Sequence, residues 1–176
     1  VNWEILDAWR EAAEEYGIPK ITEFNRGDNF GNAYFQMNQR RGKRWSATSA
    51  YLKPAMSRPN LHVVTNAQVE KLKLESQNGC QRATGVTVCL NGKETVQFNA
   101  RCEVLLSAGA IGSPQILQLS GIGPGELLQA RGSEVKHELA GVGENLHDHL
   151  QVRSVYKVKH TVTLNQRANS LFGKAM

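Results

Sequence analysis

The chain has 176 residues, 40% hydrophobic and 21% charged, with a formal net charge of +5. This ordinary composition excludes a disordered, collagenous or disulfide-built chain, and no apolar run reaches the roughly 18–20 residues of a membrane-spanning helix. The cysteines, Cys80, Cys89 and Cys102, are odd in number and lack C-x-x-C spacing, so they read as reduced thiols rather than a zinc set.

In chain order, Glu4–Tyr16 reads as a helix, because Ile5, Leu6, Trp9, Ala12, Ala13 and Tyr16 recur at three- and four-residue spacing. Gly17 supplies a left-handed cap and Pro19 blocks continuation. Asn25–Asn32, rich in Gly, Asn and Asp, reads as a loop, and Ala33–Arg40 as a strand. The basic cluster Arg40-Arg41-Gly42-Lys43-Arg44 lacks the spread and stacking aromatics of a nucleic-acid footprint. It reads as a solvated edge or an anion contact, with Arg44 the candidate for a structural ion pair. Ser46–Met56 predicts a short helix with a Ser or Thr cap, disturbed by Pro54.

From Leu61 the apolar period becomes two. Leu61–Asn66 and Val69–Glu75 read as strands, and Thr84–Leu90 and Glu94–Ala100 as a hairpin about Asn91-Gly92, a type I′ signal. Arg101–Ala108 predicts an apolar strand buried on both faces. Gly109 and Gly112 then permit a tight turn. Ser113 is placed as N-cap and Pro114 at the first helical position, with the helix running to about Ser120 and ending at Gly121. A strand, a glycine turn and a helix N-terminus together offer backbone N–H groups to an anionic ligand. An ordinary strand-to-helix connection would look the same, and periodicity does not separate the two. The stretch is not G-x-G-x-x-G.

A second short helix is expected over Glu126–Arg131, ending at Gly132. Leu139–Val152 reads as a loop leading into a strand that Arg153–Val158 continues. His147-Asp148-His149 would place two histidines on one strand face, but no third ligand cluster accompanies them, so the expectation is no metal. Asp148 and His149 read instead as members of a loop hydrogen-bond network at a domain junction, and His62 and His137 as exposed or satisfied. The chain opens at Val1 rather than Met and stops after Phe172-Gly173-Lys174-Ala175-Met176, so both ends read as cut and the chain as an internal fragment. Absence of a targeting segment then carries no information.

Gly109-Ala110-Ile111-Gly112-Ser113-Pro114-Gln115-Ile116-Leu117-Gln118-Leu119-Ser120-Gly121-Ile122-Gly123 resembles the second signature of the glucose–methanol–choline oxidoreductases at every constrained position. The resemblance extends over Gly42–Val152, although Gln is more usual where His147 stands, and is nearest to the choline-dehydrogenase-like branch. It implies an FAD-dependent alcohol oxidoreductase of mixed α/β (α+β) class. This chain would be the central part of a Rossmann-like FAD-binding domain with segments of a sheet-based substrate domain. Residues 1–60 would lie at the junction of the two domains, 61–138 in the FAD-binding domain, and 139–176 crossing into the substrate domain.

The same resemblance places Val69 where a backbone group meets the adenine of FAD, and Ala108 and Gly109 at the turn beside the adenosine half. It assigns this chain no catalytic residue. The family's G-x-G-x-x-G belongs nearer the N-terminus of a full protein and its catalytic histidine nearer the C-terminus. The implied chemistry is removal of an alcohol proton by a histidine base and hydride transfer to flavin N5. The implied partners are a small alcohol and an electron acceptor, either oxygen or a quinone-type respiratory acceptor, with no nucleic acid. Membrane association is left open, between a cytoplasmic protein and one peripheral to a bacterial inner membrane. The alternative is a non-catalytic α/β binding domain that keeps the glycine turn as scaffold.

Overall fold

In the computed structural model, which describes residues 3–169, the first element is α1 (Glu4–Glu15). Glu4 and Asp7 sit in its first turn, where the helix dipole favours negative charge. Its C-terminus closes as expected at Gly17, at φ 97°: the Gly17 N–H donates to Glu14 O and the Ile18 N–H to Ala13 O at 3.0 and 2.9 Å. Lys20 Nζ lies 2.9 Å from Glu14 Oε2 and, through that hydrogen bond, holds the carboxyl below its usual range. Asn32 ties the following loop to the helix. It accepts from Arg10 Nε at 3.3 Å, donates Nδ2–H to Ile18 O at 2.8 Å, and bridges back to Pro19 and Ile21 through its backbone. The Tyr34 hydroxyl donates to Asp7, whose carboxylate raises the phenol's pKa, and the Arg10 guanidinium lies 4.9 Å from the Tyr34 ring centre.

The expected strand over Ala33–Arg40 reduces to β1 (Gln39–Arg40), paired with β2 (Lys43–Arg44) about Arg41 and Gly42, both at positive φ. Residues 33–38 join no ladder, and a strand holds only where a neighbour takes its amides. This hairpin is the basic cluster. It is exposed, and the Arg40 guanidinium lies 5.1 Å from the Trp45 ring centre. Among the described residues the ion pairs are Lys20–Glu14 and Lys73–Glu75, so the expectation for Arg44 is not met. The Ser46–Met56 helix forms as a widened turn (Thr48–Leu52) followed by α2 (Lys53–Ala55). Ser46 Oγ accepts the Ser49 N–H at 3.3 Å, the expected cap. Pro54 has no N–H to offer the Ala50 carbonyl, and the Lys53 N–H reaches five residues back to Thr48 O.

Residues up to Arg58, with those from Gln151 on, form one compact unit; Pro59–Leu150 form the second. The second unit is built on an antiparallel meander of β3 (Ala67–Gln77), β4 (Cys80–Leu90) and β5 (Glu94–Asn99). Both of its turns carry Asn-Gly with both residues at positive φ: Asn91-Gly92, as expected, and Asn78-Gly79, which makes a second type I′ turn. Leu61–Asn66 is not a strand. Asn66 takes φ 53°, which breaks the pleat, and its carbonyl accepts the Asn91 N–H. Two register shifts interrupt the β3–β4 ladder, leaving Glu70 and Thr84 as extra residues.

The expectation of a buried strand over Arg101–Ala108 is overturned. The chain bends at Arg101-Cys102 and then runs unpaired, with Leu105 80% exposed. No strand among the described residues lies beside it, and an apolar run alone supplies no hydrogen-bond partner. Next come α3 (Gly109–Leu119), β6 (Ile122–Gly123), α4 (Gly125–Ala130) and β7 (His137–Glu138), with β6 and β7 paired in parallel. The buried apolar side chains are Val88 of β4, Ile116 of α3, Leu128 of α4 and Val142 of the loop after β7. The strand expected through Val152–Val158 is likewise absent. That segment forms no regular element and is exposed except at Val158, and the Tyr156 ring meets Trp9 at 5.3 Å between centres. In α5 (Leu164–Ala168), Thr163 and Gln166 form a reciprocal capping box. Val1 and residues 172–176, which read as cut ends, lie outside the described residues.

Gly85, beside the Thr84 bulge, leaves no room for a side chain: a Cβ there would collide with the Phe98 carbonyl oxygen. Gly85→Val in the full-length protein is therefore expected to cost about 1–3 kcal/mol by overpacking, measured by urea unfolding. Gly79→Val, with open space at its turn, should keep β4–β5 amide protection that Gly85→Val loses.

Candidate functional site

The Gly109 turn comes first. The helix starts at Gly109, five residues before Pro114, because a residue at φ 86° reverses the chain in a single step. This corrects two expectations. Ser113 is not the N-cap; its Oγ accepts the Ala108 N–H at 3.0 Å from within the helix. Pro114 lies inside the helix, where it offers no N–H to the Ala110 carbonyl. The amides of Gly109, Ala110 and Ile111 head the helix without intrahelical acceptors, at the positive end of its dipole. Ala108 and Gly109 are exposed, and a Cβ built on Gly109 meets nothing within 4 Å. What the turn offers a ligand is backbone N–H, positive potential and open space.

Val69 is half-buried on β3, opposite Val88 and directly before the Glu70 bulge. Its carbonyl accepts the Gln68 side-chain amide at 3.3 Å. β3 is an edge strand, and past the bulge its outward Leu72 N–H donates to Ser120 Oγ at 2.7 Å. The Ser120 hydroxyl in turn donates to Ile116 O at 2.5 Å, and Ser120 is 5% exposed. One buried hydroxyl thus joins the end of α3 to the strand that carries Val69. Sequence reasoning read Ser120 only as the end of a helix. The usable signal was a serine closing an apolar helix directly before a cap glycine.

The other signature residues are architectural. Gly121, at φ 84°, caps α3, and its carbonyl accepts the Lys136 and His137 amides at 2.8 and 3.1 Å. Glu138 Oε1 accepts the Gly125 N–H at 3.0 Å, placing a carboxylate at the N-terminus of α4. Gln118 Nε2 donates to Val142 O at 3.1 Å and ties the Gly141–Gly143 turn to α3. Between α3, α4 and the 141–147 segment lies an open groove of about 990 Å³, lined chiefly by apolar side chains such as Ile111, Leu117, Leu127 and Leu146.

His147, Asp148 and His149 are exposed, and Asp148 Oδ1 accepts the His149 N–H at 2.7 Å, a purely local contact. Among the described residues no cluster of three His, Cys, Asp or Glu could hold a metal ion. His62 is exposed in the unpaired segment before β3, and His137 is exposed on β7.

Residues 2–151 match the sequence model of the family described as GMC oxidoreductase. The chain is 40% identical over 163 residues to the oxygen-dependent choline dehydrogenase of Photobacterium profundum, covering 93% of this chain and 28% of that protein. It is 46% identical over 161 residues to the protein of the same name from Staphylococcus epidermidis, covering 91% of this chain and 27% of that one. An FAD-dependent oxidoreductase structure from Chaetomium thermophilum superposes with a TM-score of 0.71 at 31% identity, over 80% of this chain and 24% of that one. The chain therefore spans little more than a quarter of the length of the relatives it matches.

A pair of glycines separates backbone strain from close packing. Gly121 and Gly132 both take positive φ, but a Cβ on Gly121 would stand 2.5 Å from Glu134 O, whereas one on Gly132 meets nothing within 4 Å. Gly132→Ala is expected to cost about 1–2 kcal/mol for the left-handed backbone alone. Gly121→Ala is expected to cost measurably more, read as the difference between the two denaturation midpoints in the full-length protein.

Proposed function

Because this chain belongs to the GMC oxidoreductase family, we propose that it is part of an FAD-dependent alcohol oxidoreductase of the choline-dehydrogenase type, acting on a small alcohol such as choline. The observation that carries the reading is the Ala108–Gly109 turn: exposed backbone at the head of α3, with no side chain where a Cβ would stand. These residues fit one end of FAD. Gly109 and the amides behind it would meet the polar atoms of the adenosine half, and the Val69 backbone would meet the adenine. The chemistry that FAD supplies when bound is acceptance of hydride from the alcohol carbon at N5.

The residues of this chain bind and orient; they do not move the proton. The first amides of α3 favour negative charge or lone pairs at their end of the helix. Ser113 Oγ holds the Ala108 amide, fixing the turn before a ligand arrives. Residues 61–138 act as part of the FAD-binding domain, with 1–60 at its junction with the substrate domain and 139–176 crossing into that domain. The histidine base and the first phosphate-binding turn would come from outside this chain. The electron acceptor is oxygen or a quinone-type respiratory acceptor.

Two outcomes test the reading. Gly109→Val in the full-length protein should lower flavin content per folded molecule severalfold, because a side chain would fill the space left for the cofactor. Gly132→Val, with the same left-handed backbone strain at an open turn, should leave flavin content unchanged. Normal flavin occupancy in Gly109→Val would show that the turn is only structural. The 176-residue chain expressed alone should hold no stoichiometric flavin, oxidise neither choline nor simple primary alcohols with an artificial acceptor, and aggregate through exposed apolar residues such as Leu105 and Ile111. A yellow, monomeric, active preparation would refute the assignment of the catalytic machinery to other parts of the protein.

A further inference from the structure

We infer that Ser120 is a positioning residue for the adenosine end of the cofactor, setting the β3 edge that carries Val69 against the helix that begins at Gly109. The inference rests on the FAD reading above. The geometry behind it is the two-way hydrogen bond of one buried hydroxyl, from the Leu72 N–H on β3 and to the Ile116 carbonyl on α3.

Three features make this bond more than generic packing. First, Leu72 lies just past the Glu70 bulge, and a bulge frees a strand to bend and re-aim its neighbours. Val69 is the last paired residue on the other side of that bulge, so its backbone direction depends on how the strand is anchored beyond it. Second, β3 is a sheet edge, with no further strand among the described residues to take its outward amides. Ser120 takes one of them. Third, α3 is a single helix from Gly109 to Leu119, with the hydroxyl at its C-terminal end and the ligand-facing turn at its N-terminal end. A helix transmits position along its axis, so fixing its end to β3 fixes both halves of the cradle in one frame.

Ser120 itself is 5% exposed, with both hydrogen-bonding roles of its hydroxyl used internally. It therefore acts through Leu72 and α3, not by touching the ligand. The consequence is specific: loss of the hydroxyl should loosen the adenosine half of the site while leaving the chemistry of the flavin half intact.

The test uses the full-length apoprotein, titrated with FAD and separately with ADP, which carries only the adenosine diphosphate half. Ser120→Ala should weaken both by a similar factor, about tenfold, the scale of one buried hydrogen bond. The kcat at saturating FAD should be unchanged, and Ser120→Thr, which keeps the hydroxyl, should recover most of the affinity. Leu128→Ala, which opens a cavity elsewhere in the same core, serves as the control for lost stability and should leave both affinities near wild type. If Ser120→Ala does not fold, Ser120→Cys replaces it, being of similar size with a weak donor and acceptor.

Wild-type FAD and ADP affinity in the Ser120 variant would overturn the inference, as would equal losses in the Ser120 and Leu128 variants. A wild-type protein that binds no FAD would overturn the function proposed above as well. Flavin bound normally with no Ser120 effect would overturn only the positioning role.

Discussion

A single buried hydroxyl organises the unit that carries the site. Ser120 Oγ accepts from Leu72 N–H and donates to Ile116 O, so it closes the last turn of α3 and anchors the edge of β3 at once. The Ile116 carbonyl also accepts the Ser120 backbone N–H at 3.1 Å, so the group that depends on the hydroxyl is the Leu72 N–H. Leaving it unpaired would cost on the order of 1–3 kcal/mol, more than the bond contributes on balance. Serine suits the position because it is small enough for the buried end of a helix and has a donor and an acceptor on one atom. Gly121 follows, since the chain must reverse through positive φ where Glu134 O leaves no room for a side chain. The helix, the sheet edge and the β6–β7 pair all meet within two residues.

The rest of the unit follows from satisfying backbone groups around that junction. The Gly121 carbonyl collects the Lys136 and His137 amides, the Gly123 carbonyl collects Leu139, and Glu138 returns its carboxylate to the first amide of α4. Each contact is polar and joins residues 13 to 16 positions apart, and together they shape a loop-rich segment with few buried apolar side chains. By contrast, Leu105, Ile111, Leu119 and Leu146 remain exposed. Apolar area of this extent is seldom left in water, and the relatives this chain matches are more than three times as long.

The elements legible in the sequence were those whose cause is local. Gly17 ends α1, Gly132 ends α4, Ser46 caps its turn, and Asn91-Gly92 makes its hairpin, because positive φ and side-chain capping are decided within a few residues. The same logic reached the second Asn-Gly turn only in the structure, although Asn78-Gly79 carries the identical signal. Errors fell on elements that need a distant partner. Ala33–Arg40, Leu61–Asn66, Arg101–Ala108 and Val152–Val158 all read as strands, yet none finds a full ladder among the described residues. The start of α3 was misplaced for a different reason: Pro114 is favourable at a first helical position, but Gly109 had already turned the chain.

By itself the sequence determined the family, through a run of fifteen residues whose spacing is met from Gly109 to Gly123. It also determined the local punctuation, because glycine, asparagine and serine act on the backbone beside them. Only the tertiary structure decided that Ser120 is a junction rather than a helix end. It likewise decided that Arg101–Ala108 is unpaired and that Gly109 faces open space while Gly121 does not. The physical reason is range: a φ preference is a property of one residue, whereas a hydrogen bond across 48 positions, from Leu72 to Ser120, exists only once the chain has closed the loop between them.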